Sequence, residues 1–225
     1  MLELFIVRHG ESVRNLACQL AHQGLTEVLD LQLCELSEEP EWPLTEKGRM
    51  QAVLAGKWLA EQDGPIDAAY VSPYLRTRET AQNLHLGVIP FSDIRLRERE
   101  WGTYSACSYP VQEYLSDLGC CNQLDWRSRF PGSESIRDLV PSTEAFLRDL
   151  RAKYPAGRVV LVTHGGRIGA FEYLIEGEIA PRRYANCCVL QYRFEEESTS
   201  VRLDYPAQTE LQSIPWRAVR STVIA

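Results

Sequence analysis

No apolar run in this 225-residue chain approaches the roughly 20 residues a helix needs to cross a bilayer, so no membrane span is expected. No Gly/Ser/Pro-rich stretch divides it, and it holds no internal repeat or low-complexity tract. One domain over residues 1–225 follows. A basic excess is also missing. The 24 Lys and Arg face 31 Asp and Glu, a formal charge of −7, which argues against nucleic acid or an anionic membrane as the main partner. There are seven cysteines but no CxxC pair; the count is odd, and two pairs are adjacent (Cys120-Cys121 and Cys187-Cys188). Reduced thiols explain this better than disulfides. A motif already under way at Arg8 leaves no room for a cleavable signal peptide, and a cytoplasmic protein is expected.

What is present is enough apolar content for a core, 44% of residues, in alternating strand-like and helix-like segments. That alternation predicts an α/β fold: a three-layer sandwich with a mostly parallel central sheet, helices on both faces and a small lid-like insertion. Strands are expected at Leu2–Val7, Asp67–Val71, within 88–96, at Arg158–Thr163 and within 187–205. One helix should start near Glu11. A second should run from Thr45 to Gln62, with Met50, Leu54, Trp58 and Leu59 as its apolar stripe. A third should start at Ser72 as N-cap with Pro73 in its first position, ending near Leu86. A fourth spans Ser135–Tyr154, where Pro141 predicts a kink or a late start, and a fifth follows Gly165. Residues 19–43 read as an irregular acidic excursion beside the site. Residues 103–133, with a short helix near Val111–Leu118, read as the lid, and 206–225 as a tail.

Two histidines stand where strands end: Val7-Arg8-His9-Gly10-Glu11 and Thr163-His164-Gly165-Gly166. In an α/β sheet such positions open into the crevice beyond the strands' carboxyl ends, where ligands bind. Arg8 beside His9, and Arg76 in Ser72-Pro73-Tyr74-Leu75-Arg76-Thr77, add planar forks suited to phosphate oxygens. Helix N-termini would add backbone N–H groups. A phosphoester dianion repels an incoming lone pair, so catalysis there is chiefly positioning and positive charge. His9, kept neutral by nearby arginines, is the candidate nucleophile, with His164 as a further donor. Glu98, in an arginine-flanked turn, is the candidate acid for the leaving alkoxide, and Glu100 competes for that role. The scheme calls for no metal and no cofactor, since the arginines carry the charge. The partner expected is a small phosphorylated metabolite.

Six segments, in order, carry a resemblance: Arg8-His9-Gly10-Glu11-Ser12, Pro43-Leu44-Thr45-Glu46-Lys47-Gly48, Ser72 through Ala81, Leu96 through Gly102, Pro131-Gly132-Ser133-Glu134-Ser135 and Thr163 through Gly166. Together they resemble the histidine phosphatase superfamily, which includes cofactor-dependent phosphoglycerate mutases and fructose-2,6-bisphosphatases. The resemblance implies that Arg8, His9, Arg76 and His164 form the phosphate centre and that His9 carries the phosphoryl group. It further implies that Asn15 contacts phosphate and that Glu98 donates the proton. Gly165, opening the helix behind His164, is counted with the substrate-binding residues. Leu96-Arg97-Glu98-Arg99-Glu100-Trp101-Gly102 is closer to broad phosphatases than to mutases, and residues 103–130 lack the lysines mutases use on phosphoglycerates. Arg127 and Arg129 are candidates for a second anionic group of the substrate. Ser133 replaces the family's second glycine, at a cost of about 1 kcal/mol if that backbone is left-handed.

A metal site is disfavoured because no carboxylate or cysteine stands at ligand spacing beside either histidine. His22 and His85 read as surface or helix-end residues, and Arg76 has an alternative as a salt-bridge partner of Glu79. Cys121 and Cys187 each precede an arginine at Cys-x5-Arg spacing, Arg127 and Arg193, but the first loop is too bulky to wrap a phosphate and the second lies in a strand-like run. A metal-independent phosphatase is the first reading. A mutase is the second, and a phospholigand-binding regulator the third.

Overall fold

The computed structural model describes residues 1–23, 39–102, 126–127, 129, 132–178, 184–195, 199–204 and 217–219. Most of the expected 19–43 excursion and 103–133 lid, including the helix expected at Val111–Leu118, lies outside them.

Strand β1 (Leu2–Arg8) is buried almost throughout, as its apolar run requires. It pairs in parallel with β4 (Gly157–Thr163), in a register running from Leu2 opposite Gly157 to Arg8 opposite Thr163. Beyond β4 come β2 (Ala68–Val71) and β3 (Phe91–Ser92), both parallel. On the other side of β1, β5 (Val189–Phe194), β6 (Thr199–Asp204) and β7 (Arg217–Val219) pair antiparallel in succession. The order is β3-β2-β4-β1-β5-β6-β7, with β5 and β7 opposed to the other five. The expected strands in 187–205 are thus present, and the expected tail contributes β7 to the sheet edge.

Alternate residues of β1 face opposite layers, as strand geometry demands. Leu2, Leu4 and Ile6 pack with Phe146, Leu147 and Leu150 of helix α4 (Ile136–Lys153) and with Ile168, Phe171 and Ile175 of helix α5 (Gly165–Glu176). Phe5 and Val7 pack with Ala52, Ala55, Trp58 and Leu59 of helix α2 (Glu46–Glu61) and with Ala81 and Leu84 of helix α3 (Leu75–Leu84). Helices therefore cover both faces, and each buried large side chain contributes roughly 1.5–3 kcal/mol. Helix α1 (Val13–His22) follows the first histidine motif and makes residues 19–22 helical rather than irregular.

Several local expectations need correction. The buried face of α2 is Gly48, Ala52, Ala55, Gly56, Trp58 and Leu59; Met50 and Leu54 are exposed at 55% and 43%. Trp58 and Leu59 of the expected stripe are buried, and the closest backbone approaches are made at Gly48 and Gly56. Helix α3 starts at Leu75 with Tyr74 as N-cap, so Ser72 does not cap it. It ends at His85, which takes the left-handed cap conformation and is exposed, as a helix-end histidine should be. Helix α4 starts at Ile136 behind a capping box between Ser135 and Asp138, so Pro141 lies inside it and does not delay its start.

Candidate active site

The parallel register decides the site. Because Arg8 lies opposite Thr163, His9 and His164 leave the sheet side by side at its carboxyl end. Their ring centroids are 5.2 Å apart and both side chains are buried. The His9 backbone is held by its N–H to Thr163 O (2.9 Å) and by its carbonyl, which accepts from Asn186 Nδ2 at 3.1 Å.

Proton placement follows from the partners. His9 Nδ1 lies 2.8 Å from Gly10 O; a carbonyl only accepts, so Nδ1 holds the hydrogen and Nε2 the lone pair. His164 Nε2 lies 2.8 Å from Ser72 Oγ, while its Nδ1 is buried with no protein partner among the described residues. Ser72 Oγ also accepts the Tyr74 N–H at 3.4 Å; with one hydrogen and a second lone pair left, the hydroxyl can satisfy either tautomer of His164. Burial, then Arg76 and Arg8, holds His9 well below the usual histidine pKa; burial, Arg76 and His9 do the same for His164.

A pH prediction follows. Each folded-state pKa is depressed, so below about pH 6.5 the unfolded chain binds protons that the folded chain refuses. The contribution of both histidines is full above that pH and is lost as pH falls, by about 1.4 kcal/mol per pH unit for each. Urea midpoints measured between pH 7.5 and 5.0 should decline on the acid side, and His9→Asn should flatten the decline by about half. A flat profile in the parent protein would contradict neutral burial.

Arg76, in the first turn of α3, is buried against Tyr74 (4.8 Å to the ring centroid) and Trp42 (5.7 Å). Tyr74 also meets the His164 ring edge-on at 5.0 Å. The alternative partner Glu79 is engaged elsewhere: it accepts from Leu44 N–H at 2.6 Å and from Arg49 at 3.3 Å. Arg8 donates through Nη1 to the Tyr184 carbonyl. Gly165 opens α5 beside these groups; a Cβ there would lie 3.9 Å from Arg8 Nε.

Glu98 is buried, and Glu100 is exposed and paired with Arg97 at 3.3 Å. The Glu98 carboxylate accepts from Arg99 N–H (2.9 Å) and from Gly166 N–H (3.3 Å), two residues past His164. Of the two acids, Glu98 is the one buried beside the start of α5. A Cβ on Gly166 would lie 2.3 Å from Glu98 Oε1. Gly166→Ala should therefore displace the carboxyl, a flexible side-chain end, without breaking the fold. We expect kcat to fall by about 10- to 100-fold with a nearly unchanged Tm; equal losses of both would make Gly166 structural.

The remaining sequence candidates are dispersed. Asn15 Oδ1 accepts from Ser12 N–H, Ser12 Oγ and Asn186 Nδ2, each at 3.1 Å, which ties α1 to the His9 loop. Arg129 is exposed and ion-paired with Asp138 at the start of α4. Arg127 is exposed over Trp126, which stacks on Tyr173 of α5. Ser133 causes no strain, since the left-handed residue of its loop is Gly132. Cys187 is buried under the His9 loop and burial pushes its thiol up, unlike a reactive thiolate.

Sequence reasoning missed four residues around the site. Ser72 was assigned to capping, Tyr74 to the helix start, and neither Asn186 nor Arg167 stood in a pattern that marked it. Ser72 and Tyr74 carried a signal, their place with Arg76 in a motif already singled out.

Comparison with known proteins identifies the family. Residues 4–204 fit the model of the histidine phosphatase superfamily (branch 1), and the chain belongs to that family. It is 27% identical over 222 residues to an uncharacterized phosphatase, PhoE, of Bacillus subtilis (strain 168), covering 94% of this chain and 97% of that one. It is 31% identical over 172 residues to a 2,3-bisphosphoglycerate-dependent phosphoglycerate mutase of Bartonella henselae, covering 69% and 82%. Among solved structures, a mycobacterial glucosyl-3-phosphoglycerate phosphatase shares the fold with a TM-score of 0.66, at 21% identity over 97% of this chain and 98% of that one. No helix among the described residues is long and apolar enough to cross a membrane.

Proposed function

We propose that this chain is a metal-independent phosphatase that hydrolyses a small phosphomonoester through a phosphohistidine on His9. The observation that carries the reading is the His9 ring itself: Nδ1 bound to Gly10 O, so that the buried, neutral ring has its lone pair on Nε2, beside His164 and between two arginines. The substrate dianion binds Arg8, Arg76, His164 and the Gly165 N–H, with Asn15 beside it. Nε2 attacks phosphorus, forming an N–P bond as the P–O bond to the leaving group breaks. Glu98 gives its proton to the departing oxygen. Water then loses a proton to the Glu98 carboxylate and attacks phosphorus, releasing phosphate and restoring neutral His9. Arg127 and Arg129 are the candidates for a second anionic group of the substrate, with Arg129 exchanging its ion pair with Asp138 for that group. The reading suits a cytoplasmic enzyme of small phosphorylated metabolites, with neither nucleic acid nor membrane as partner.

Mutase chemistry is the second reading, supported by the phosphoglycerate mutases among the relatives. It needs the phosphoryl group returned to a bound intermediate before water arrives. Both are tested by incubating the protein with a panel of phosphometabolites in EDTA, including 3-phosphoglycerate with and without 2,3-bisphosphoglycerate. Phosphate release is the expected result. Phosphoglycerate isomerisation without release would establish the mutase, and activity that EDTA removes and a divalent ion restores would overturn the metal-free scheme.

A further inference from the structure

Arg167 is among the largest fully buried side chains, and its charge faces no carboxylate within ion-pair distance among the described residues. Among the described residues its hydrogen bonds go to neutral oxygens. Nη1 donates to Leu139 O (3.0 Å), Ser142 Oγ (2.8 Å) and Thr143 Oγ1 (2.7 Å), which anchor it in α4. Nε donates to the carbonyl of Arg97 at 3.1 Å, the residue immediately before Glu98. A buried guanidinium is a costly way to join two helices, because an apolar side chain fills the same space with no charge to desolvate. Burial lowers its pKa to about 10, and Glu98 is the charge that offsets this most.

The Glu98 turn is pinned from each side. Arg97 Nη1 donates to Glu98 O at 2.7 Å and, with Nη2, forms a two-pronged pair with Glu134 at 2.7 and 2.8 Å. Glu134 also accepts the Glu100 N–H, and its own N–H donates to Glu100 O, both at 2.8 Å. Arg167 adds a hold on the Arg97 carbonyl, from the same helix whose Gly166 N–H binds the carboxylate. We propose that Arg167 is a positioning residue for Glu98, coupling the start of α5 to the acid's turn so that the carboxyl meets the leaving-group oxygen. The inference rests on the reading of Glu98 as proton donor.

The test uses leaving groups. p-Nitrophenolate departs without a proton, whereas the alkoxide of glycerol phosphate needs one. The ratio of kcat/KM for glycerol phosphate over p-nitrophenyl phosphate is measured within each preparation, so the folded fraction cancels. Glu98→Gln should lower that ratio by about 100-fold. Arg167→Met should lower it by about tenfold, and Arg167→Lys should recover part of the loss. If Arg167→Met does not fold, the double variant Ser142→Ala/Thr143→Val keeps the arginine, removes two anchors, and should lower the ratio about threefold. An unchanged ratio in the folded Arg167 or anchor variant, with Glu98→Gln affected, overturns the positioning role and leaves the acid role standing. An unchanged ratio in Glu98→Gln removes the acid role and this inference together.

Discussion

His9→Ala is expected to lower phosphate release by at least about 10⁴-fold in a protein that still folds. No neighbour can replace the lost nucleophile. His164 is the nearest ring, but its Nε2 is engaged by Ser72. The structural cost should be small, since His9 contributes one local hydrogen bond to Gly10 O and its ring is held neutral against two arginines. The check is steady-state phosphate release alongside Tm, with acid-quench trapping of labelled phosphoryl enzyme. Residual activity within tenfold of the parent would end the phosphohistidine mechanism.

The second large effect is on stability. Gly48→Ala would ordinarily favour a helix by about 1 kcal/mol. Here the added Cβ would lie 2.1 Å from Glu11 O and 2.8 Å from Glu11 N, with backbone on both sides of the clash. A Cβ on Gly10 would in turn meet Gly48 O at 2.4 Å. The start of α2 and the loop after β1 therefore cross at glycine-to-backbone distance. Around that crossing, Thr45 Oγ1 caps the Gly48 N–H and donates to Glu11 Oε1 at 2.9 Å, and Lys47 reaches Glu11 Oε2 at 2.7 Å. Gly48→Ala should destabilise by about 3 kcal/mol or more, visible as a Tm drop of roughly 6–12 °C. A drop below 2 °C would mean the crossing opens freely, an outcome at odds with so many backbone bonds there.

Much of this site was legible because its chemistry sits in short contiguous segments. His9 follows an apolar strand and His164 follows another, so each was legible as a strand-end residue, and the parallel pairing of the two strands then sets them side by side. Arg76 and Glu98 were recognisable for similar reasons, each lying in a turn after a strand. Ser72 was misread because Ser-Pro is also a good helix start; its hydroxyl turned toward His164 because the helix begins three residues later. Helix α2 was misread for a different reason. Large residues dominate a hydropathy pattern, but the close crossing with Glu11 selects for glycine and alanine, leaving Met50 and Leu54 outside.

Local sequence therefore determined the α/β class, the strand ends and the two histidines, because each depends on periodicity or on neighbours within a few residues. Contacts between distant segments decided the rest. Glu3, a lone acid in a buried strand, is matched directly across by Arg158 on β4 and Arg193 on β5, at 3.2 and 2.6 Å. That cross-strand triad supports the register that puts His9 beside His164. Which of Glu98 and Glu100 is buried likewise needed the fold, since only the approach of α5 sets one carboxylate beside Gly166. Pairings more than sixty residues apart leave no local pattern to read, because a salt bridge or a backbone crossing constrains two positions jointly and neither one alone.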